Sequence, residues 1–127
     1  MPEWEPMALR LETLTVDAAD PAKVGRFWAD VLEVAPPEPD EDGDLVLEVP
    51  GGLTILFVTD TTPKTVKNRW HLDLRPDDQQ AEVNRVEALG ATRSDIGQTG
   101  EETWVVLADP EGNEFCILCS ANESERQ

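Results

Sequence analysis

Residues 68–74, NRWHLDL, decide how the chain is read. Strand alternation sends Trp70, Leu72 and Leu74 to one face and His71, Asp73 and Arg75 to the other. One short segment therefore carries an apolar face and a titratable face, and it holds the only histidine. It also opens a second copy of a unit that the chain has already made once.

The first copy starts with a β-rich stretch over residues 9–16, closed by turn chemistry at 17–20. Asp20 followed by Pro21 is an N-cap with proline at the first helical position. Val24, Phe27, Trp28, Val31 and Leu32 then recur on one helix face, a stripe that reads as core rather than as a cofactor box. Residues 35–44 are proline-rich and acidic, a loop expected to hold a short or irregular strand. Strands are expected at 45–49 and 53–58 around a hairpin turn of Pro50, Gly51 and Gly52. Residues 59–66 join the halves.

In the second copy the strand ends at Pro76, and Asp77 or Asp78 caps a helix bearing Val83, Val86 and Leu89 and closed by Gly90. Strands at 91–96, 104–107 and 114–119 follow, the last two joined by the turn DPEGN. A shift of 60 residues lays Leu14 and Val16 on Leu74 and Pro76, Gly52 on Gly112 and Leu56 on Cys116. The helices then match with a single insertion, Phe27 falling near Val86. The expected organisation is an N-terminal arm (1–8), one domain (9–119) with modules at 9–60 and 67–119, and a polar tail (120–127).

A chain of 127 residues fits one domain with a working core. No basic leader and no apolar run of about 18 residues is present, so neither export nor membrane insertion is indicated, and a cytoplasmic location is expected. The 27 acidic and 10 basic residues give a formal charge of −17, which disfavours nucleic acid and anionic membranes as partners and attracts cations. The runs EPDEDGD and ESERQ read as solvated surface. Cys116 and Cys119 lie three apart in one expected strand, a poor geometry for a disulfide, and the strand-to-helix context of a redox CxxC pair is missing. Cys116 reads most simply as a small buried hydrophobe.

DPAKVGRFWADVLEV at 20–34, KNRWHLDL at 67–74 and WVVLADPEGNEFCIL at 104–118 together resemble the vicinal oxygen chelate superfamily, which includes glyoxalase I, extradiol dioxygenases, fosfomycin resistance enzymes and bleomycin resistance proteins. The look is that of its glyoxalase-like members of unassigned activity. The resemblance implies an α+β fold of two βαβββ modules forming a partly open, barrel-like cleft with the helices packed outside. It also implies four metal-holding positions, which fall here on Leu11, Leu56, His71 and Cys116. Two of these are leucines and donate nothing to an ion.

The leading expectation is therefore a small-molecule binding protein with a metal-free cleft, no cofactor, and an amphiphilic or cationic ligand. Its site residues are His71, Asp73, Glu114, Cys116, Leu11 and Leu56, with Trp104 a better aromatic wall than Trp70. His71 is expected as a neutral imidazole bonded to Asp73 or to a backbone carbonyl. The rival is a metal-dependent lyase, isomerase or dioxygenase using His71, with a three-donor cluster of His71, Cys116 and Glu114 as its ion site. A third reading is an interaction domain using the acidic loop at 38–44. A homodimer is expected, because proteins resembling this one commonly pair to build their clefts.

Overall fold

The computed structural model describes residues 11–94 and 102–120. The expected arm, residues 9 and 10 of the first expected strand, residues 95 and 96 of the strand expected at 91–96, and all of the tail but Ser120 lie outside them. The elements are β1 (Leu14–Ala18), α1 (Pro21–Leu32), β2 (Leu45–Val49), β3 (Leu53–Thr59), β4 (Leu72–Leu74), α2 (Gln79–Leu89), β5 (Thr92–Arg93), β6 (Val105–Ala108) and β7 (Glu114–Ile117). They make a mixed α+β fold with two open sheets, ordered β1-β3-β2 and β4-β7-β6-β5, consistent with two glyoxalase-like modules. In each sheet the opening strand runs parallel to the closing one, β1 with β3 and β4 with β7. No helix among the described residues is long and apolar enough to cross a membrane.

Both helices start where side chains satisfy free N–H groups. Asp20 accepts from the Lys23 amide at 3.2 Å, and Asp78, rather than Asp77, accepts from the Ala81 amide at 3.1 Å. Gly90 closes α2 at a φ of 124°, which a side chain would resist. The α1 stripe is buried as the spacing implies, through Val24, Phe27, Trp28 and Val31. Gly25 is buried with it because a Cβ there would collide with the Leu45 side chain, so the helix lies close against β2. Val83 and Val86 bring α2 into the same core, which also takes Leu45, Leu47, Ile55 and Phe57 from one sheet and Leu107, Phe115 and Ile117 from the other.

The internal repeat is real, but its shift is not uniform. Leu14 pairs with Ile55 as Leu72 pairs with Phe115, and Leu45 pairs with Phe57 as Val105 pairs with Ile117. The closing hairpins are thus 60 residues apart, whereas the opening strands and the two N-caps, Asp20 and Asp78, are 58 apart. The difference of two falls between helix and hairpin. There module two has β5, and module one has no strand at all. Pro36, Pro37 and Pro39 lack the N–H that a ladder needs, and Asp40 spends its carboxylate on the Asp42 and Asp44 amides, so the segment closes as a turn.

One consequence is a changed partner for His71. Its counterpart in module one is Thr13, not Leu11, which is 80% exposed ahead of β1. The counterparts of Asp73 and Cys116 are Thr15 and Leu56, which pair across β1 and β3 as Asp73 and Cys116 pair across β4 and β7.

The DPEGN turn links the modules. Glu111 accepts from the Ala19 and Asp20 amides with its two oxygens, at 3.0 and 2.9 Å. Buried Asp109 accepts from Trp28 Nε1 at 2.8 Å and from the Glu111 and Asn113 amides and the Asn113 side chain. The Trp28 ring packs on Phe115 at 4.8 Å between centroids. Asp109→Ala strands a buried indole N–H and two amides, and denaturant unfolding is expected to show a loss of about 2–4 kcal/mol. Trp28→Phe keeps most of the ring and removes the donor, so the double variant should fall short of additivity by about 1 kcal/mol or more. Additive losses would mean that the two side chains stabilise the fold independently.

Candidate functional site

The inner faces of the two sheets do not close on each other completely. Between them lies a cavity of about 720 Å³. Leu14 and Val16 of β1 and Ile55 and Phe57 of β3 form one wall, Leu72 and Phe115 the other, and Trp28 contributes from α1. These are the alternate, core-facing positions of their strands, so the same periodicity that builds the core also lines the cavity.

The segment between β3 and β4 forms the mouth. It holds KTVKNR at 64–69, three of the ten basic residues of a strongly acidic chain, and Lys64, Lys67 and Arg69 all line the opening. Glu114 holds this segment in place: its carboxylate accepts from the Asn68 amide at 2.7 Å and from Lys64 Nζ at 3.0 Å. Asn68 returns a bond from its side chain to the Glu114 carbonyl at 3.2 Å. Trp70 also lines the mouth, yet it is 87% exposed.

The expected site residues separate into groups. His71, Asp73 and Cys116 meet: His71 Nδ1 is 3.0 Å from an Asp73 oxygen and 3.9 Å from Cys116 Sγ. His71 and Glu114 line the cavity; Asp73 and Cys116 do not. Glu114 stands apart from the His71 group, because both its oxygens are committed to the mouth segment. Leu56 is half-buried between the cavity-lining Ile55 and Phe57 and so faces the other way. Leu11 and Trp104 are not part of the lining, whereas Trp70, the less favoured tryptophan, is. The apolar lining has no signature in the sequence, because alternation marks a residue as inward without saying whether packing fills the space. The cluster of cations at 64–69 is the sequence signal for the mouth.

Burial pushes the Cys116 thiol up to about 11, and the neighbouring Asp73 carboxylate acts in the same direction. At neutral pH it is a protonated thiol and a poor nucleophile. An ion shared between the modules, as the resemblance implies, does not fit the side chains present. Module one offers Thr13, Thr15 and Leu56 at the equivalent places, with no carboxylate or imidazole for a hard divalent cation.

Burial alone would raise the Glu114 pKa, but the Asn68 amide and Lys64 outweigh it and hold the carboxyl below its ordinary value of 4.5. A pKa lowered by folding gives stability that is complete above the unfolded value and lost as the pH falls through the folded one. Hydrogen exchange at the Asn68 amide should therefore accelerate as the pH drops below about 4.5, relative to an unstructured reference amide. In Glu114→Gln the protection should be reduced and independent of acid. Equal protection in both proteins would show that the carboxylate does not hold the mouth segment.

A family model described as a glyoxalase-like domain matches residues 13–118. No curated protein sequence matches the chain. Among solved structures, oxidase ChaP-H1 is 25% identical, with 91% of this chain and 98% of that one covered and a TM-score of 0.65. TnmS3, an antibiotic binding protein from Streptomyces sp. CB03234, is 21% identical over 91% of this chain and 100% of its own, with a TM-score of 0.60. A mutant of the fosfomycin resistance protein FosX from Listeria monocytogenes, complexed with Mn(II) and a dihydroxypropylphosphonic acid, is 14% identical over 95% and 98% of the two chains, with a TM-score of 0.69. The last two likenesses concern the fold alone. With two modules of matching topology and a family model spanning nearly all of the described residues, this chain belongs to the glyoxalase-like domain family of the vicinal oxygen chelate superfamily.

Proposed function

We propose that this protein binds an amphiphilic small molecule in the cavity between its two modules, as a binding protein of the glyoxalase and bleomycin-resistance type. The observation that carries the reading is the cavity itself. Its volume of about 720 Å³ falls within the range of roughly 300–1,000 Å³ usual for small-molecule sites. The walls are apolar and the polar groups are gathered at the mouth, which suits a ligand with a hydrophobic body and a polar end.

The interior offers a ligand little hydrogen bonding. Trp28 Nε1 and Asp109 are engaged with each other, and the Glu114 carboxylate with Asn68 and Lys64. Binding energy must come from the apolar walls, at about 25 cal/mol per Å² of surface withdrawn from water, less the cost of ordering the ligand. Orientation falls to Lys67, Arg69 and His71 on one side of the mouth and to Asp17 and Asp60 at the ends of β1 and β3. Trp70, a large ring left almost wholly in water at the opening, gains contact area when a ligand arrives.

A thermal-shift screen of amphiphilic compounds, with the dye anilinonaphthalene sulfonate as a displacement probe, tests the proposal. Compounds that raise Tm should displace the dye, and Trp70→Ala should weaken them by about 3- to 30-fold, equivalent to roughly 0.6–2 kcal/mol. Val16→Trp places a large ring against the cavity wall and should weaken the stabilising compounds while circular dichroism remains native. No stabilising compound, or stabilisation unchanged in both Trp70→Ala and Val16→Trp in a folded protein, contradicts the reading.

A further inference from the structure

Around the cavity the acceptors are satisfied and the donors are not. The carboxylates that reach the lining belong to Asp17, Asp60, Asp109 and Glu114. Asp109 is engaged by Trp28 and Asn113, Glu114 by Asn68 and Lys64, and Asp60 by the Thr62 amide at 2.8 Å. Asp17 follows the wall residue Val16 on β1, so its parity turns it toward solvent, where it is exposed. The cations at the mouth are matched less well. Lys64 is held by Glu114, but Lys67 has only the Asn68 carbonyl at 3.3 Å, and among the described residues nothing bonds to the Arg69 guanidinium.

We infer that Lys67 and Arg69 receive a carboxylate at the polar end of the cavity's ligand, which makes that ligand an amphiphilic monoanion. The inference rests on the reading of the cavity as a small-molecule site and gives its polar end a sign. A guanidinium fork matches the two oxygens of a carboxylate, and an ammonium beside it adds a third charge-assisted donor. A single negative charge also suits the surroundings, because a chain of net charge −17 opposes a dianion more strongly than a monoanion.

The two cations are placed in advance of binding. Among the described residues, positions 61–70 make no hydrogen bond from backbone to backbone, so side chains fix this segment. The fixed point is Asn68, bonded to Glu114 through its amide at 2.7 Å and through its side chain at 3.2 Å. Lys67 and Arg69 stand on either side of it, which lowers the cost of ordering them around a ligand. Lys23 and Arg26 of α1 are exposed cations as well, but they do not line the cavity. Position, rather than charge alone, distinguishes the pair at the mouth.

Octanoate, 1-octanol and octylammonium share one chain length and differ in head group, so their titration into the full-length protein at neutral pH, followed by NMR at the Trp28 indole N–H, tests the inference. Octanoate should bind about tenfold more tightly than 1-octanol, a margin that shrinks as salt is added. Octylammonium should be the weakest, although the overall field of the protein favours it. Lys67→Gln combined with Arg69→Gln should bring octanoate to within about twofold of 1-octanol while circular dichroism remains native. Lys23→Gln combined with Arg26→Gln removes the same charge from α1 and should keep the preference. Octanoate no tighter than 1-octanol, octylammonium the tightest, a preference that survives at Lys67 and Arg69, or one lost equally in the α1 pair would each overturn this inference and leave the cavity reading standing. No saturable shift with any of the three compounds would overturn both.

Discussion

Trp28 is the side chain that both modules share. Its ring belongs to the α1 stripe, its edge packs on Phe115 of the last strand, and its indole N–H ends on the buried carboxylate of Asp109. A tryptophan at this depth needs a hydrogen-bond acceptor, and a buried carboxylate needs donors. Each supplies what the other lacks across the module boundary. Glu111, two residues beyond Asp109, extends the link to the start of α1 through the Ala19 and Asp20 amides. At the other end of α1, Arg85 of α2 donates to the Asp30 and Val31 carbonyls at 3.1 and 2.9 Å, in the last turn of the helix. Module two thus holds α1 at both ends, and the space between the sheets takes its shape from that clamp.

The two faces of the sheets consequently serve different chemistry. Inward positions build the core and, where packing falls short, the cavity. Outward positions on the second sheet carry Asp73 and Cys116, with His71 of the same parity reaching the cavity rim, while the matching places on the first carry Thr15, which also reaches the lining, and Leu56, with Thr13 opposite His71. The asymmetry follows from side-chain identity at equivalent register, because the backbones match. A repeated unit can keep its ladder while only one copy retains groups able to bind an ion or move a proton.

Much of the fold could be read before the structure. Asp20 with Pro21, the helix stripe, the hairpin at Gly51 and Gly52, and the repeat are local patterns, each with its own physical signature. The shift between modules was harder to read. Leu14 and Val16 match Leu74 and Pro76 about as well as Leu72 and Leu74 in hydrophobicity, and only the pairing register separates 60 from 58. That error of two preserves strand parity, so the faces came out correctly while Leu11 was named in place of Thr13. The bond between Trp28 and Asp109 joins residues 81 apart, which no local pattern encodes. Likewise Glu114 shows in sequence as a strand residue of the right parity for a cluster with His71, but Lys64 and Asn68 claim its oxygens.

The central claim is that a ligand occupies the inner side of the sheets, between the modules and against Trp28. Two-dimensional NMR with anilinonaphthalene sulfonate as the probe reports on it directly, because the Trp28 indole N–H resonates apart from the backbone amides. The account predicts saturable shifts at that indole and at the amides of Leu14, Val16 and Phe115. Shifts confined to Leu56, Asp73 and Cys116, with the Trp28 indole unmoved, would place binding on the outward faces and contradict it.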